Sequence, residues 1–239
     1  MIDDPEHRVQ WLERLYDLNS VIAAQNEPLV GNLFYGHLQE DYVASPPSAM
    51  LRAKRDRFRS ATRGRRRLLE IGVNGGHSAF LALSENPELE FHGVDICDHS
   101  YVLPAVGWVE REFPGRVFFH RGNCLKVLPD LVASGLKCDF FHIDGAKDLY
   151  FDDMLNCSRM VRSSDALVVM DDTQMPGVAR TWSRCVHLRL AEPKAEYPSM
   201  AVSERYRNEV GQLVASSKFK AAALRAYSRA LVLVRRIRG

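Results

Sequence analysis

Residues 68–78 read Leu68-Leu69-Glu70-Ile71-Gly72-Val73-Asn74-Gly75-Gly76-His77-Ser78. An apolar run of strand length gives way to glycines and then to a helical stretch near Ser78–Ser84. That is the strand–turn–helix order of a βαβ unit. Four further runs of the same kind follow: Phe91–Asp95, Val117–His120, Phe140–Asp144 and Ala166–Asp171. Candidate helices near Ala105–Phe113, Lys126–Val132 and Tyr150–Val161 separate them. Strands alternating with helices predict a parallel sheet covered on both faces.

The late segment Glu209–Val214 alternates apolar and polar residues and reads as an added antiparallel strand. The expected fold is α/β, a Rossmann-like doubly wound and mostly parallel sheet with N-terminal helices and a C-terminal helix. Ahead of the sheet, Val9, Leu12, Leu15 and Tyr16 have helical spacing, and Trp11 and Leu18 widen the same face. Ser45-Pro46-Pro47 breaks the chain, and a helix is expected from Ser48 to about Arg63. That segment carries Arg52, Lys54, Arg55, Arg57 and Arg59, followed by Arg65, Arg66 and Arg67. A second basic helix is expected over Lys218–Arg238. The expected division is a helical cap over 1–64, a cofactor-binding domain over 65–217 and a basic helix over 218–239.

A chain of 239 residues, 46% hydrophobic and 26% charged, suits a soluble protein of one α/β domain with added helix, or at most two small domains, and argues against long disorder. No apolar run approaches the roughly 18–20 residues that span a bilayer. The acidic, polar start from Met1 to Gln10 resembles neither a signal nor a transit peptide, so a cytoplasmic protein is expected. Five cysteines without a CxxC favour neither a disulfide framework nor zinc. The net charge of +2 gives no global pull toward nucleic acid, and the basic segments read as solvated helix faces.

Open α/β sheets bind ligands at the carboxyl ends of their strands. Those ends carry Glu70, Asp95, Asn123, Asp144, Asp171 and Asp172, an acidic rim. The glycine loop lacks the GxGxxG spacing of a dinucleotide fingerprint, and Glu70 would oppose a phosphate. S-adenosylmethionine, with a sulfonium and an amino group but no phosphate, suits an acidic loop. Asp95, at the end of the second strand, is placed to accept from both ribose hydroxyls. The pattern ExGxxxGxS over Glu70, Gly72, Gly76 and Ser78, followed by Asp95, resembles motif I of class I S-adenosylmethionine-dependent methyltransferases. The expected cofactor-binding set is Glu70, Gly72, Asn74, Gly75, Gly76, Ser78, Asp95, Gly122, Asn123 and Asp144. Asn123 reads equally as a turn residue, and His77 as a surface residue at a helix start.

Asp144-Gly145-Ala146-Lys147 follows the fourth strand and Asp171-Asp172-Thr173 the fifth. Neighbouring parallel strands bring these three carboxylates together, where they repel one another unless protonated or bridged by a cation. Carboxylate oxygens without Cys or His form a hard donor set suited to Mg²⁺, with Mn²⁺ or Ca²⁺ as alternatives. Asp171 and Asp172 can share one ion only if the strand has already ended.

Over Leu68–Thr173 the chain is similar to metal-dependent O-methyltransferases of the catechol O-methyltransferase type. The resemblance implies Asp144 and Asp171 as metal ligands, Asp172 as a third ligand where that family has asparagine, and Lys147 as general base. The Asp-Asp pair is instead similar to the macrolide and sugar O-methyltransferases, which carry histidine at the base position. A lysine acts as base only when neutral, and a dication and partial burial both push its pKa down.

The implied reaction is methyl transfer to a hydroxyl of a small molecule: a catechol, a sugar or a natural-product scaffold. Leu29–Tyr42 and Met175–Tyr206, the expected covering segments, carry no pattern tied to one acceptor, and the oligomeric state, including a homo-oligomer, stays open. An amino-methyltransferase of nucleic acid would show an Asn/Asp-Pro-Pro-aromatic motif where Asp144-Gly145-Ala146-Lys147 stands. Two other classes remain: a nucleotide-dependent oxidoreductase, and a non-catalytic binder of nucleic acid or membrane surface on the same fold.

Overall fold

The structure is a computed structural model that describes residues 5–201 and 205–227. Among the described residues seven strands form one sheet in the order β3-β2-β1-β4-β5-β7-β6. They are β1 (Arg67–Ile71), β2 (Glu90–Asp95), β3 (Val117–Arg121), β4 (Phe140–Ile143), β5 (Leu167–Met170), β6 (Ala191–Pro193) and β7 (Glu209–Leu213). The first five pair in parallel, while β7 runs antiparallel to both β5 and β6. The strand order reverses between β1 and β4, and there an open α/β sheet forms its ligand crevice.

The period-2 alternation of the strands sorts their side chains into two cores. Leu68, Phe91, Phe140, Leu167 and Val169 face one layer, packed by α1 (Pro5–Ala23), α2 (Arg52–Thr62), α3 (His77–Glu85) and α4 (Val102–Glu112). Leu69, Val94, Phe141, Val168 and Met170 face the other, covered by α5 (Cys124–Ala133), α6 (Tyr150–Cys157) and α7 (Pro176–His187). Leu15, Leu18 and Ile22 of α1 are fully buried in the first core, so the N-terminal segment shares the core of the sheet.

The helix expected over Tyr150–Val161 stops at Cys157, and Val161 instead pairs with Cys138 in a bridge just before β4. The sequence reading assigned no structure to α7 or β6. Helical backbone covers residues 218–227 of the expected C-terminal helix, where Ala221 and Leu224 dock on the second core. The remainder of that helix, including Leu231 and Val234, lies outside the described residues. Among the described residues no helix is long and apolar enough to cross a membrane.

Several cations of the basic run before β1 have partners within the chain. Arg55 donates to the carbonyls of Leu33 and Ser48, and Arg57 donates to Asn208. Arg59, Arg65, Arg66 and Arg67 pair with Glu85, Asp165, Glu88 and Glu90.

Candidate active site

A cleft of about 600 Å³ opens at the carboxyl ends of the strands. Gly72, Asn74, Asp95, Gly122, Asn123, Asp144, Lys147 and Asp172 line it, together with Lys54. Gly72 has φ +87°, and a Cβ there would stand 2.4 Å from the carbonyl oxygen of Asp144. Only glycine lets the end of β1 lie against the end of β4.

Asp95 shapes the loop that follows. One carboxylate oxygen accepts from the backbone N–H of Val73 at 2.8 Å and of Asn74 at 2.9 Å, and the other accepts from Cys97 at 2.7 Å. A carboxylate offers about four acceptor positions, so one stays available to a ligand hydroxyl. Asn123 caps α5 by accepting from Leu125 N–H, and in the same position it borders the cleft.

Other residues expected to touch the cofactor lie behind the cleft wall. Glu70 is fully buried and held 2.5 Å from His142 Nδ1, so it faces a histidine rather than the cleft. Gly75 lets Ile22 of α1 approach, and Gly76 starts α3 in the left-handed conformation at φ +71°. Ser78 is buried beside Glu70. His77 is not the expected surface residue: it is 1% exposed, meets Asn19 Oδ1 at 3.0 Å, and burial pushes its pKa down to about 3.

Asp144 and Asp171 converge with His142, and Asp172 adjoins them through shared lysines. Strand β5 ends at Met170, and Asp172 takes φ +56°, a conformation that aspartate tolerates better than most residues. That turn lets Asp171 and Asp172 serve one cluster. Lys147 Nζ lies 2.6 Å from Asp172, 2.9 Å from Asp144 and 2.9 Å from the Tyr150 hydroxyl. Asp171, fully buried, meets Lys54 Nζ at 2.6 Å and His142 Nε2 at 3.8 Å. Lys54 also reaches Asp172 at 4.0 Å.

The bridging cations expected between these carboxylates are thus supplied first by the chain's own ammonium groups. For Lys147 this reverses the expected direction. Burial lowers its pKa, but the carboxylates of Asp144 and Asp172 outweigh burial and hold it above the ordinary lysine value. His142 is likewise pulled down by burial and raised overall, to about 10, by Asp171 and Glu70. One of its ring nitrogens lies near the carboxylates of Asp144 and Asp171. Among the described residues the ligand atoms that lie together are those of His142, Asp144 and Asp171, and Asp172 adjoins them through the lysines that it shares with Asp144 and Asp171.

Sequence reasoning missed Lys54, placing it among solvated basic residues. Leu51, Lys54, Phe58 and Ala61 recur at helical spacing, and all four are buried. A lysine on the apolar stripe of a basic helix was the readable signal.

The sheet order, the crevice at its switch point and the Asp95-braced glycine loop define the class I methyltransferase fold. Residues 69–173 match the family model described as a methyltransferase domain. Among solved structures, an O-methyltransferase from Bacillus cereus in complex with SAH shares 18% identity at a TM-score of 0.63, with 86% of this chain and 90% of that chain covered. The O-methyltransferase TomG from Streptomyces achromogenes, in complex with SAM, shares 20% at a TM-score of 0.60, covering 85% of this chain and 90% of that one. Cofactor-bound Rv0187 from MTB shares 18% at 0.64, covering 86% and 91%. At these identities the likeness is one of fold. No curated protein matches the chain by sequence.

Proposed function

We propose that the protein transfers a methyl group from S-adenosylmethionine to a hydroxyl oxygen of a small molecule, at the wall formed by Asp144, Lys147 and Asp172. The observation that carries this reading is the single cleft in which those residues face the Asp95-braced loop. The O-methyltransferases among the fold neighbours support oxygen as the accepting atom.

Gly72, Asn74, Asp95, Gly122 and Asn123 would hold the methyl donor, which supplies an electrophilic methyl group. Asp95 presents its remaining acceptor position and keeps the loop backbone in place. Asp144, Asp171 and Asp172 would hold a hard divalent cation, Mg²⁺ first, which supplies Lewis-acid polarisation of the acceptor hydroxyl. Lys147 holds its own proton between Asp144 and Asp172. Weakening either ion pair lowers its pKa toward the range in which it takes the hydroxyl's proton. Tyr150, its hydroxyl 2.9 Å from Lys147 Nζ, positions that amine. His37, Gln174, Met175 and Tyr206 border the remaining space and are the surfaces an acceptor would meet.

The test combines calorimetry with mass spectrometry. Saturable binding of S-adenosylmethionine is expected, with methylated product from at least one member of a panel of catechols and sugars. Turnover is expected to fall in EDTA and in Asp171→Ala. Absence of S-adenosylmethionine binding with and without Mg²⁺ overturns the whole reading, and turnover indifferent to EDTA overturns its metal half.

A further inference from the structure

Lys54 deepens the metal half of that reading, on which the following rests. Its ammonium reaches Asp171 at 2.6 Å and Asp172 at 4.0 Å, while Lys147 covers Asp172 and Asp144 at 2.6 and 2.9 Å. Each of the three carboxylates thus faces at least one ammonium group, and Asp171 also lies 3.8 Å from His142. A dication added to that set would face two cations over the same oxygens, and like charges at such separations repel strongly in a buried site.

The two lysines are not equivalent in their freedom to leave. The Lys147 side chain is 32% exposed at the mouth of the cleft, whereas that of Lys54 is 5% exposed. Lys54 rises from α2, and Leu51 and Phe58 on the same helix face are buried in the core. Lys54 borders the cleft, so its head can withdraw from Asp171 only into that space. Asp171 has no exposure to solvent through which a cation could bypass it.

We propose that Lys54 is an intramolecular competitor for the divalent cation, its ammonium holding the Asp171 end of the carboxylate cluster so that a cation enters only as Lys54 withdraws. In that role the lysine keeps three aspartates assembled without metal and sets the metal affinity low. It is a positioning residue for the cluster.

Mn²⁺ binding to the full chain, without methyl donor or acceptor, is the direct test, with unbound Mn²⁺ read by electron paramagnetic resonance. Lys54→Met and Lys54→Gln are both made; glutamine retains a donor for Asp171 should methionine unfold the chain, and circular dichroism checks each. At least tenfold tighter Mn²⁺ binding is expected in the folded variants. Lys54→Arg, which keeps the charge, and Arg66→Met, which removes a remote one, are expected to stay within twofold of the parent. Unchanged or weaker affinity in the Lys54 variants, or equal tightening in Arg66→Met, overturns the competitor role. Mn²⁺ binding by none of the proteins also overturns it, together with the metal half of the function. Calorimetry with S-adenosylmethionine on the same samples shows separately whether the methyltransferase reading stands.

Discussion

Asp95 offers the sharpest test of how the cofactor loop is built. Its carboxylate accepts three backbone N–H bonds at 2.7–2.9 Å, two of them from Val73 and Asn74, whose peptide groups form the cleft wall. Hydrogen bonds to a charged acceptor contribute about 1.5–3 kcal/mol each. Asp95 is half-buried, so the lower end applies. Asp95→Asn retains one acceptor oxygen that can serve Val73 and Asn74, but its amide nitrogen cannot accept from Cys97. One bond is lost, about 1.5 kcal/mol, or roughly tenfold in affinity. Asp95→Ala loses all three, and water entering the gap limits the loss to about 1 kcal/mol per bond. The sum is about 3 kcal/mol, roughly a hundredfold. Titration calorimetry with S-adenosylmethionine is expected to show this graded order among folded variants. Folded Asp95→Ala binding the donor within twofold of the parent would refute the role of Asp95.

Lys147→Met is expected to lower methyl transfer at least about a hundredfold, the scale of a lost proton-transfer group, while donor affinity stays within threefold; full activity in this variant removes Lys147 from the chemistry. Gly72→Ala places a Cβ against the Asp144 carbonyl at a positive φ, so lower thermal stability and weaker donor binding are expected together, and an unaltered melting curve would refute the close approach. His142 tests the buried pair by pH. Its pKa is raised to about 10, so its contribution to stability is complete below the unfolded value near 6.5 and is lost as pH rises toward 10. The stability difference between the parent and His142→Gln is therefore expected to shrink over that window in urea titrations. A difference that grows instead would mean the histidine is buried neutral.

How legible these features were depended on whether their cause was local. The run Phe140–Ile143 announces a strand because a strand buried on both faces must be apolar at every position. Strand β6 has only three residues, ends in proline and exists because β7 offers it an edge. No periodicity could report it. Helix α7 was readable in part: Pro176 sits at its first turn, and Val178, Trp182 and Cys185 share its buried face. The Pro-Gly pair there reads as a loop when taken alone.

The site shows the same division. Asp144, Lys147, Asp171 and Asp172 follow from strand ends and spacing, which are local. The partners that decide their charge do not. Lys54 comes from a helix before the sheet, and His142 sits on β4 between Glu70 of β1 and Asp171 after β5. Glu70 illustrates the consequence. Its position at the end of β1 reads as a cofactor contact, yet a histidine one strand away at the paired register turns it inward. Charge at this site is therefore a property of four buried side chains, Glu70, His142, Asp171 and Lys54, that link the methyl-donor loop to the carboxylate cluster. Replacing one member leaves an opposite charge buried without its partner, a loss of about 3–5 kcal/mol for a broken buried pair. Substitutions in this chain of charges are thus expected to lower stability, Lys54→Met doing so while metal binding tightens, whereas Lys147, at the mouth of the cleft, bears first on turnover.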